Sequence, residues 1–75
     1  MGDHAIQNRI RELRFDRGEM TQQTLADRIG VARQTVNAIE LGTYSPSLEV
    51  AFRIAAVLGV TLDEVFQYNG KGGKP

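Results

Sequence analysis

Apolar side chains recur three and four residues apart along most of the chain, which is the spacing of one face of an α-helix. The first such run, Ile6, Ile10 and Leu13, predicts a helix that ends near Arg17-Gly18. No stretch alternates apolar and polar residues for long enough to predict a strand. The pattern therefore predicts an all-α fold.

Two further helices are predicted between Thr21 and Gly42. Thr21 is placed to cap the second helix at its N-terminus, and Gly30 follows its last apolar residue. The third helix is expected to extend from about Arg33 to Leu41, just before Gly42. The inward positions of these two helices are Leu25, Ala26, Ile29, Val36 and Ile39.

A fourth helix is predicted to begin after Ser47, its N-cap, and to end at Gly59. One face of it carries Leu48, Ala51, Phe52, Ala55 and Leu58, and Val50, Ile54 and Val57 widen that face until the helix is apolar most of the way round. Thr61 and Glu64 have the spacing of a capping box, which predicts a short fifth helix through Phe66. We expect a compact five-helix bundle over residues 1–68, followed by a flexible Gly/Lys tail over 69–75.

Composition agrees with one small globular domain. The 75 residues are 41% apolar and 24% charged, and nine basic side chains balance nine acidic ones. The chain has no cysteine, which excludes disulfides, thiolate metal sites and cysteine nucleophiles. No apolar run approaches the roughly 18 residues of a membrane span and no signal-peptide pattern opens the chain, so a cytoplasmic protein is expected.

The stretch TQQTLADRIGVARQTVNAIELG has the layout of a helix-turn-helix, with a glycine in the tight turn between two short helices. If Val36 and Ile39 face inward, the outward face of the third helix carries Arg33, Gln34 and Asn37. Amide side chains offer the donor and acceptor that read adenine, and arginine has the fork that reads guanine. This face therefore predicts contact with bases in the major groove of DNA.

Together with the later segment PSLEVAFRIAAVLGVTLDEVF, this stretch resembles the Cro/phage-repressor type (XRE-like) of helix-turn-helix transcriptional regulators, over about residues 8–67. The resemblance implies the five-helix fold of the phage-repressor DNA-binding domain, with the helix-turn-helix at helices 2 and 3. It implies a double-stranded DNA partner with a palindromic operator, homodimerisation and repression of transcription.

The resemblance also assigns residues to roles. Gln22 matches a position that holds a phosphate and supports the recognition side chains, and Arg33, Gln34 and Asn37 match base-reading positions. Phosphate contacts are implied for Thr35, Thr43 and Tyr44, although the Tyr44 ring is equally suited to covering the core. Arg14 and Glu40 match a partly buried ion pair, and a dimer interface is implied at Val60, Leu62, Phe66 and Tyr68.

Glu19-Met20 makes the first connection one residue longer than is usual in the family, a change that we expect to be harmless, and three single positions also depart from the pattern. Ala32 replaces the serine or threonine usual at the N-cap of the recognition helix, and Leu41 stands where asparagine is common. Ala38 occupies a position that carries a base-reading glutamine in some relatives, so here it can at most touch a thymine methyl.

No constellation for catalysis is present, and we expect neither an enzyme nor a cofactor or metal. His4 is the only histidine, and Asp63 and Glu64 are adjacent and so diverge by about 100° on a helix. Two alternatives to the regulator stay open: an antitoxin or controller protein with a protein partner, and an interaction adaptor that keeps the fold without binding DNA.

The zero net charge favours the adaptor, but the charges are unevenly distributed. Residues 1–39 carry six basic and five acidic groups, whereas residues 40–70 carry one basic and four acidic groups. From Arg28 to Ile39 there are two arginines and no acidic residue, and the acidic excess lies on the later helices, away from the proposed DNA-binding face. We expect weak non-specific affinity for DNA and a reliance on base contacts and dimerisation.

Overall fold

The computed structural model describes residues 6–68. It contains five helices and two short strands, in the order β1 (Ile6–Asn8), α1 (Ile10–Asp16), α2 (Gln22–Ile29), α3 (Arg33–Leu41), α4 (Leu48–Leu58), α5 (Leu62–Val65) and β2 (Phe66–Tyr68). The predicted tail over 69–75 and His4 lie outside the described residues. No helix in the described part of the chain has the length and apolarity needed to cross a membrane.

The predicted helix starts are confirmed at α2, α4 and α5. The Thr21 and Ser47 hydroxyls accept hydrogen bonds from the backbone N–H groups of Thr24 (3.0 Å) and Val50 (3.2 Å). At α5 the capping box is complete, because the Glu64 carboxylate accepts from the Thr61 backbone N–H at 2.8 Å. These bonds satisfy N–H groups that have no partner within their own helix.

All five helices contribute to one core. Its largest fully buried side chains are Ile10, Leu25, Ile29, Val36, Ile39, Ile54, Leu58 and Val65. The face predicted for α4 is wrong in part, because Leu48 and Phe52 are 68% and 53% exposed. The buried face of α4 is instead centred on Ile54, between Ala51 and Leu58. A helix that is apolar on most sides cannot reveal from its spacing which side is buried.

The all-α prediction needs one correction, since β1 and β2 pair in a small antiparallel sheet, which we call the terminal sheet. Ile6 lies opposite Tyr68 and Asn8 opposite Phe66. Ile6 therefore does not belong to the first helix, and α5 ends before Phe66. Strands of three residues are too short to show an alternating pattern, and their pairing partners lie about 60 residues apart in the chain.

Candidate nucleic-acid interface

The turn between α2 and α3 depends on a glycine and a small buried side chain. Gly30 has φ of +79°, a left-handed conformation that is unfavourable for residues with a Cβ atom. Its backbone N–H and that of Val31 both donate to the Ala26 carbonyl, at 2.9 and 3.0 Å. Ala26 is fully buried, so its methyl group lets α2 and α3 lie close together.

Burial of Val36 and Ile39 determines which face of α3 is turned outward. Arg33, Gln34 and Asn37 are exposed, as the sequence predicted, whereas Thr35 and Ala38 are half-buried. The first turn of α3 therefore presents a guanidinium and an amide, and a second amide follows one turn later. Ala32 is the N-cap and provides no side-chain hydrogen bond.

A buried ion pair fixes α3 against α1. The Arg14 guanidinium donates to both carboxylate oxygens of Glu40, through Nε at 2.7 Å and Nη2 at 3.1 Å. Its Nη1 donates to the Met20 carbonyl at 2.7 Å. The predicted ion pair is thus present, and it also holds the loop that leads into α2.

Gln22, at the start of α2, connects this ion pair to the outward face of α3. Its Nε2 donates to Asn37 Oδ1 at 3.1 Å and to Glu40 Oε1 at 3.2 Å. The expected support of recognition side chains by Gln22 therefore has a geometric basis.

Two clefts border the outward face of α3. One, of about 540 Å³, lies between α1 and α3 and includes Arg11 and Asn37; the other, of about 640 Å³, includes Thr21 and Arg33. Phe15 and Gln22 line both clefts. The Phe15 ring is half exposed, and the guanidinium carbons of Arg11 and Arg14 lie 5.4 and 5.5 Å from its centroid.

Phe15 and Arg11 line these clefts but were not among the residues that the sequence predicted for the interface. The sequence did contain one signal for this region, because Phe15 is an aromatic residue on α1 outside the apolar stripe formed by Ile10 and Leu13. Arg9 lines the same cleft as Arg11 and forms a hydrogen-bonded ion pair with Glu12 at 2.8 Å. This pair raises the pKa of the Arg9 guanidinium further above its ordinary value.

Thr43 and Tyr44 lie in the loop after α3 and are both exposed. The Thr43 hydroxyl donates to the Ala38 carbonyl at 3.3 Å, which anchors the loop to the end of α3. Tyr44 lines a small crevice with Ile39 and Phe66 and keeps half of its surface in contact with solvent. The ring is thus placed both to pack on the core and to extend beyond it.

The helix-turn-helix family model matches residues 10–65, which include all five helices. The chain belongs to this family. XRE-type members of the family are DNA-binding transcriptional regulators. This chain is accordingly a transcriptional regulator with a helix-turn-helix DNA-binding domain. Family membership also confirms the expectation that the protein is not an enzyme.

Individual relatives agree with this assignment. The chain is 48% identical over 66 residues to an uncharacterized HTH-type transcriptional regulator of Methanothermobacter thermautotrophicus, covering 87% of this chain and 94% of the relative. It is 40% identical over 58 residues to the cryptic phage CTXphi transcriptional repressor RstR of Vibrio cholerae, covering 77% and 51%. A solved structure of the hypothetical transcription factor NHTF from Neisseria matches with a TM-score of 0.67 and 31% identity, covering 73% of this chain and 62% of that one.

The residues predicted for the dimer interface of this helix-turn-helix regulator differ in exposure. Val60 and Phe66 are half-buried and pack against the core, Leu62 is half-buried, and Tyr68 is 64% exposed. A shallow, mainly apolar groove of about 380 Å³ includes Leu62, Phe66 and Tyr68 but not Val60. Ile6, which sequence reasoning placed in a helix, lines this groove from the opposite strand.

No group of histidine, aspartate and glutamate side chains within residues 6–68 is arranged to hold a metal ion.

Proposed function

We propose that this helix-turn-helix regulator acts in the cytoplasm as a homodimeric repressor that binds a palindromic duplex operator, with α3 of each protomer in the major groove. One observation carries this proposal: Arg33, Gln34 and Asn37 share the exposed face of α3, and the N-terminus of α2 lies beside them. That is the arrangement by which a helix-turn-helix contacts base edges.

The exposed side chains of α3 match the chemistry of the major groove. A guanidinium can donate two hydrogen bonds to guanine O6 and N7, and a glutamine amide can both donate to and accept from adenine. The side chain of Gln34 makes no hydrogen bond to another residue in the described part of the chain, so its amide is available to a base. Repression is favoured over activation by the similarity to the RstR repressor.

Phosphate contacts are proposed for the residues around this face. Thr35 lies on the first turn of α3, and Thr43 and Tyr44 lie in the loop that follows it. Gln22 lies at the start of α2 and would contact a phosphate through its backbone N–H, because its side-chain NH₂ group donates to Asn37 and Glu40. These residues lie at or near the two ends of α3, where the two DNA backbones that flank a major groove would lie. Phosphate contacts of this kind fix the register of the protein on DNA but carry no sequence information.

The homodimer is proposed to form through the apolar groove beside the terminal sheet. Leu62, Phe66 and Tyr68 come from the predicted set, and Ile6 extends the surface on β1. Val60 would lie at its margin. A two-fold dimer would present two α3 helices to half-sites about 34 Å apart on one face of the DNA.

Selection of bound duplexes from a random library, followed by sequencing, tests this function directly. We expect a palindromic motif with half-sites about one helical turn apart. Gln34→Ala should weaken binding to that motif by about 1–3 kcal/mol and relax the preference at one position per half-site. Arg28→Gln, an exposed change on α2 away from both clefts, is the matched control.

The outcomes separate the proposal from its alternatives. Equal loss of affinity for the selected motif and for random DNA would contradict the base-reading role of Gln34. Absence of any enriched sequence would favour the interaction adaptor. A protein that co-purifies in stoichiometric amount would favour the antitoxin or controller protein.

A further inference from the structure

A chain of hydrogen bonds links a buried carboxylate to the outward face of α3. Glu40 Oε1 accepts from Arg14 Nη2 at 3.1 Å and from Gln22 Nε2 at 3.2 Å, and the Glu40 side chain is only 9% exposed. Gln22 Nε2 also donates to Asn37 Oδ1 at 3.1 Å. A single amide therefore connects the buried ion pair to the proposed recognition surface, which is the exposed face of α3 formed by Arg33, Gln34 and Asn37.

The carboxylate determines the direction of every bond in this chain. Ionised Glu40 only accepts hydrogen bonds, so the Gln22 amide must turn its NH₂ group toward it. The two hydrogens of that NH₂ group are then both used, one by Glu40 and one by Asn37. Asn37 must consequently turn its oxygen toward Gln22, because the reverse orientation would bring two NH₂ groups together.

As a result, the Asn37 side chain presents its NH₂ group away from Gln22. Asn37 is exposed, and its Nδ2 donates to no other residue between positions 6 and 68. The sequence alone suggested that this amide would offer both a donor and an acceptor, as needed for adenine. In the folded protein the oxygen is turned toward Gln22, so the group that Asn37 presents outward is the donor.

We propose that Asn37 reads DNA as a hydrogen-bond donor only, and that Glu40, acting through Gln22, is the positioning residue that enforces this. This inference rests on the proposed function, in which α3 enters the major groove. It assigns Asn37 a preference for guanine or thymine over adenine or cytosine at one position in each half-site.

The preference follows from the groups that bases display in the major groove. Guanine presents two acceptors, N7 and O6, and thymine presents the acceptor O4. Cytosine presents only an amino group, N4, and adenine presents the amino group N6 beside its single acceptor, N7. Those amino groups would face the Asn37 NH₂ group donor to donor. An inward-turned Oδ1 removes the acceptor that would otherwise favour those amino groups.

The test compares duplexes selected by the wild-type chain with those selected by Asn37→Asp. Aspartate has the same shape, still accepts from Gln22, and replaces the outward donor with an acceptor. At one position in each half-site, we expect the enriched base to change from guanine or thymine to adenine or cytosine. The enrichment ratio between these two pairs of bases should change by at least about tenfold, while the other positions keep their preference.

Asn37→Ala is the matched control, because it removes both the donor and the acceptor of the side-chain amide. This variant should abolish the base preference at that position without reversing it. If Asn37→Asp keeps the wild-type base, or if Asn37→Ala leaves every position unchanged, the inference is overturned while the palindromic motif and the proposed function stand. If the wild-type chain enriches no sequence, the proposed function is contradicted, and the inference, which rests on it, is contradicted as well.

The positioning role of Glu40 has a separate readout. Gln22→Met removes the bridging amide but leaves the Arg14–Glu40 pair in place, so the fold is retained and Asn37 is free to turn over. We expect the preference for guanine or thymine to be lost and adenine to be accepted at least as well, because a freely turning amide offers both a donor and an acceptor. An unchanged preference would show that another contact orients Asn37. Glu40→Gln should give the same loss of preference wherever circular dichroism shows that it folds.

Discussion

Arg14 and Glu40 are 26 residues apart in the chain, yet their side chains meet through two hydrogen bonds of 2.7 and 3.1 Å. Both side chains are less than one-tenth exposed, at 7% and 9%. The pair joins α1 to the last turn of α3 and contacts the Gln22 amide. It therefore contributes both to the packing of the fold and to the support of the proposed recognition surface.

Arg14→Met should be strongly destabilising, because it leaves the Glu40 carboxylate buried without its partner. Loss of one member of a buried pair costs about 3–5 kcal/mol, which is comparable to the whole stability expected of a domain this small. Urea unfolding followed by circular dichroism measures the effect. Arg11→Met, an exposed change three residues away on the same helix, should shift the free energy of unfolding by less than about 0.5 kcal/mol.

The double variant Arg14→Met, Glu40→Leu distinguishes the cost of an orphaned charge from the worth of the pair. It should recover most of the stability lost by Arg14→Met, because no uncompensated charge remains buried. A double variant as unstable as the single one would show that the hydrogen bond from Arg14 to the Met20 carbonyl matters more than the charge.

Ala32→Ser should stabilise the protein by about 1 kcal/mol through a new N-cap on α3. The backbone of Ala32 has φ and ψ of −75° and 153°, close to the values of −65° and 162° at Ser47, whose hydroxyl caps α4. A serine at position 32 is therefore already in a capping geometry. Thermal unfolding measures the gain, and Thr21→Ala, which removes an existing cap, should lower stability by a similar amount.

An unchanged or lower melting temperature for Ala32→Ser, together with a loss for Thr21→Ala, would contradict the assignment of residue 32 as the N-cap.

Arg11→Gln should weaken DNA binding to a similar degree on all sequences. The Arg11 guanidinium lies against the exposed Phe15 ring in the cleft that it shares with Asn37, and it forms no ion pair with another described residue. It is therefore available to a phosphate beside the proposed major-groove contact. Titrations at several salt concentrations should show the slope of log K against log[salt] reduced by about 0.9.

Arg28→Gln removes the same charge outside both clefts and should leave that slope nearly unchanged. Loss of sequence preference in Arg11→Gln would instead indicate that Arg11 contacts a base.

Tyr68→Lys should convert the proposed dimer to a monomer while preserving the helices. Tyr68 is 64% exposed in the protomer, so a charge there disturbs little of the fold but would be buried in the interface. Sedimentation velocity over a range of concentrations measures the change. Leu48→Lys, at an equally exposed apolar position on α4, should leave the dimer intact; dissociation by Leu48→Lys in place of Tyr68→Lys would relocate the interface to α4.

Local signals in the sequence predicted most of the fold. The N-caps at Thr21, Ser47 and Thr61 and the glycine after each of α2, α3 and α4 give helix bounds that the structure confirms. Such signals depend on neighbours within a few residues, so they can be recognised in the sequence.

Features that depend on distant contacts could not be predicted in the same way. The pairing of Ile6 with Tyr68 has no local signature, and the exposure of Leu48 depends on which elements pack against α4. The orientation of the Asn37 amide is set by a carboxylate that reaches it only through another helix. The DNA contacts and the dimer interface remain predictions.

The terminal sheet has a consequence for how this unit can be connected. Because Ile6 and Tyr68 face each other across two paired strands, their Cα atoms are separated by about 5 Å. A short linker from Tyr68 to Ile6 would close residues 6–68 into a ring, and the chain could then be opened at Gly18 and Glu19, both exposed and both with positive φ. Such a circular permutant would keep α3 and its neighbours in place, so the recognition surface does not depend on the order in which the chain is joined.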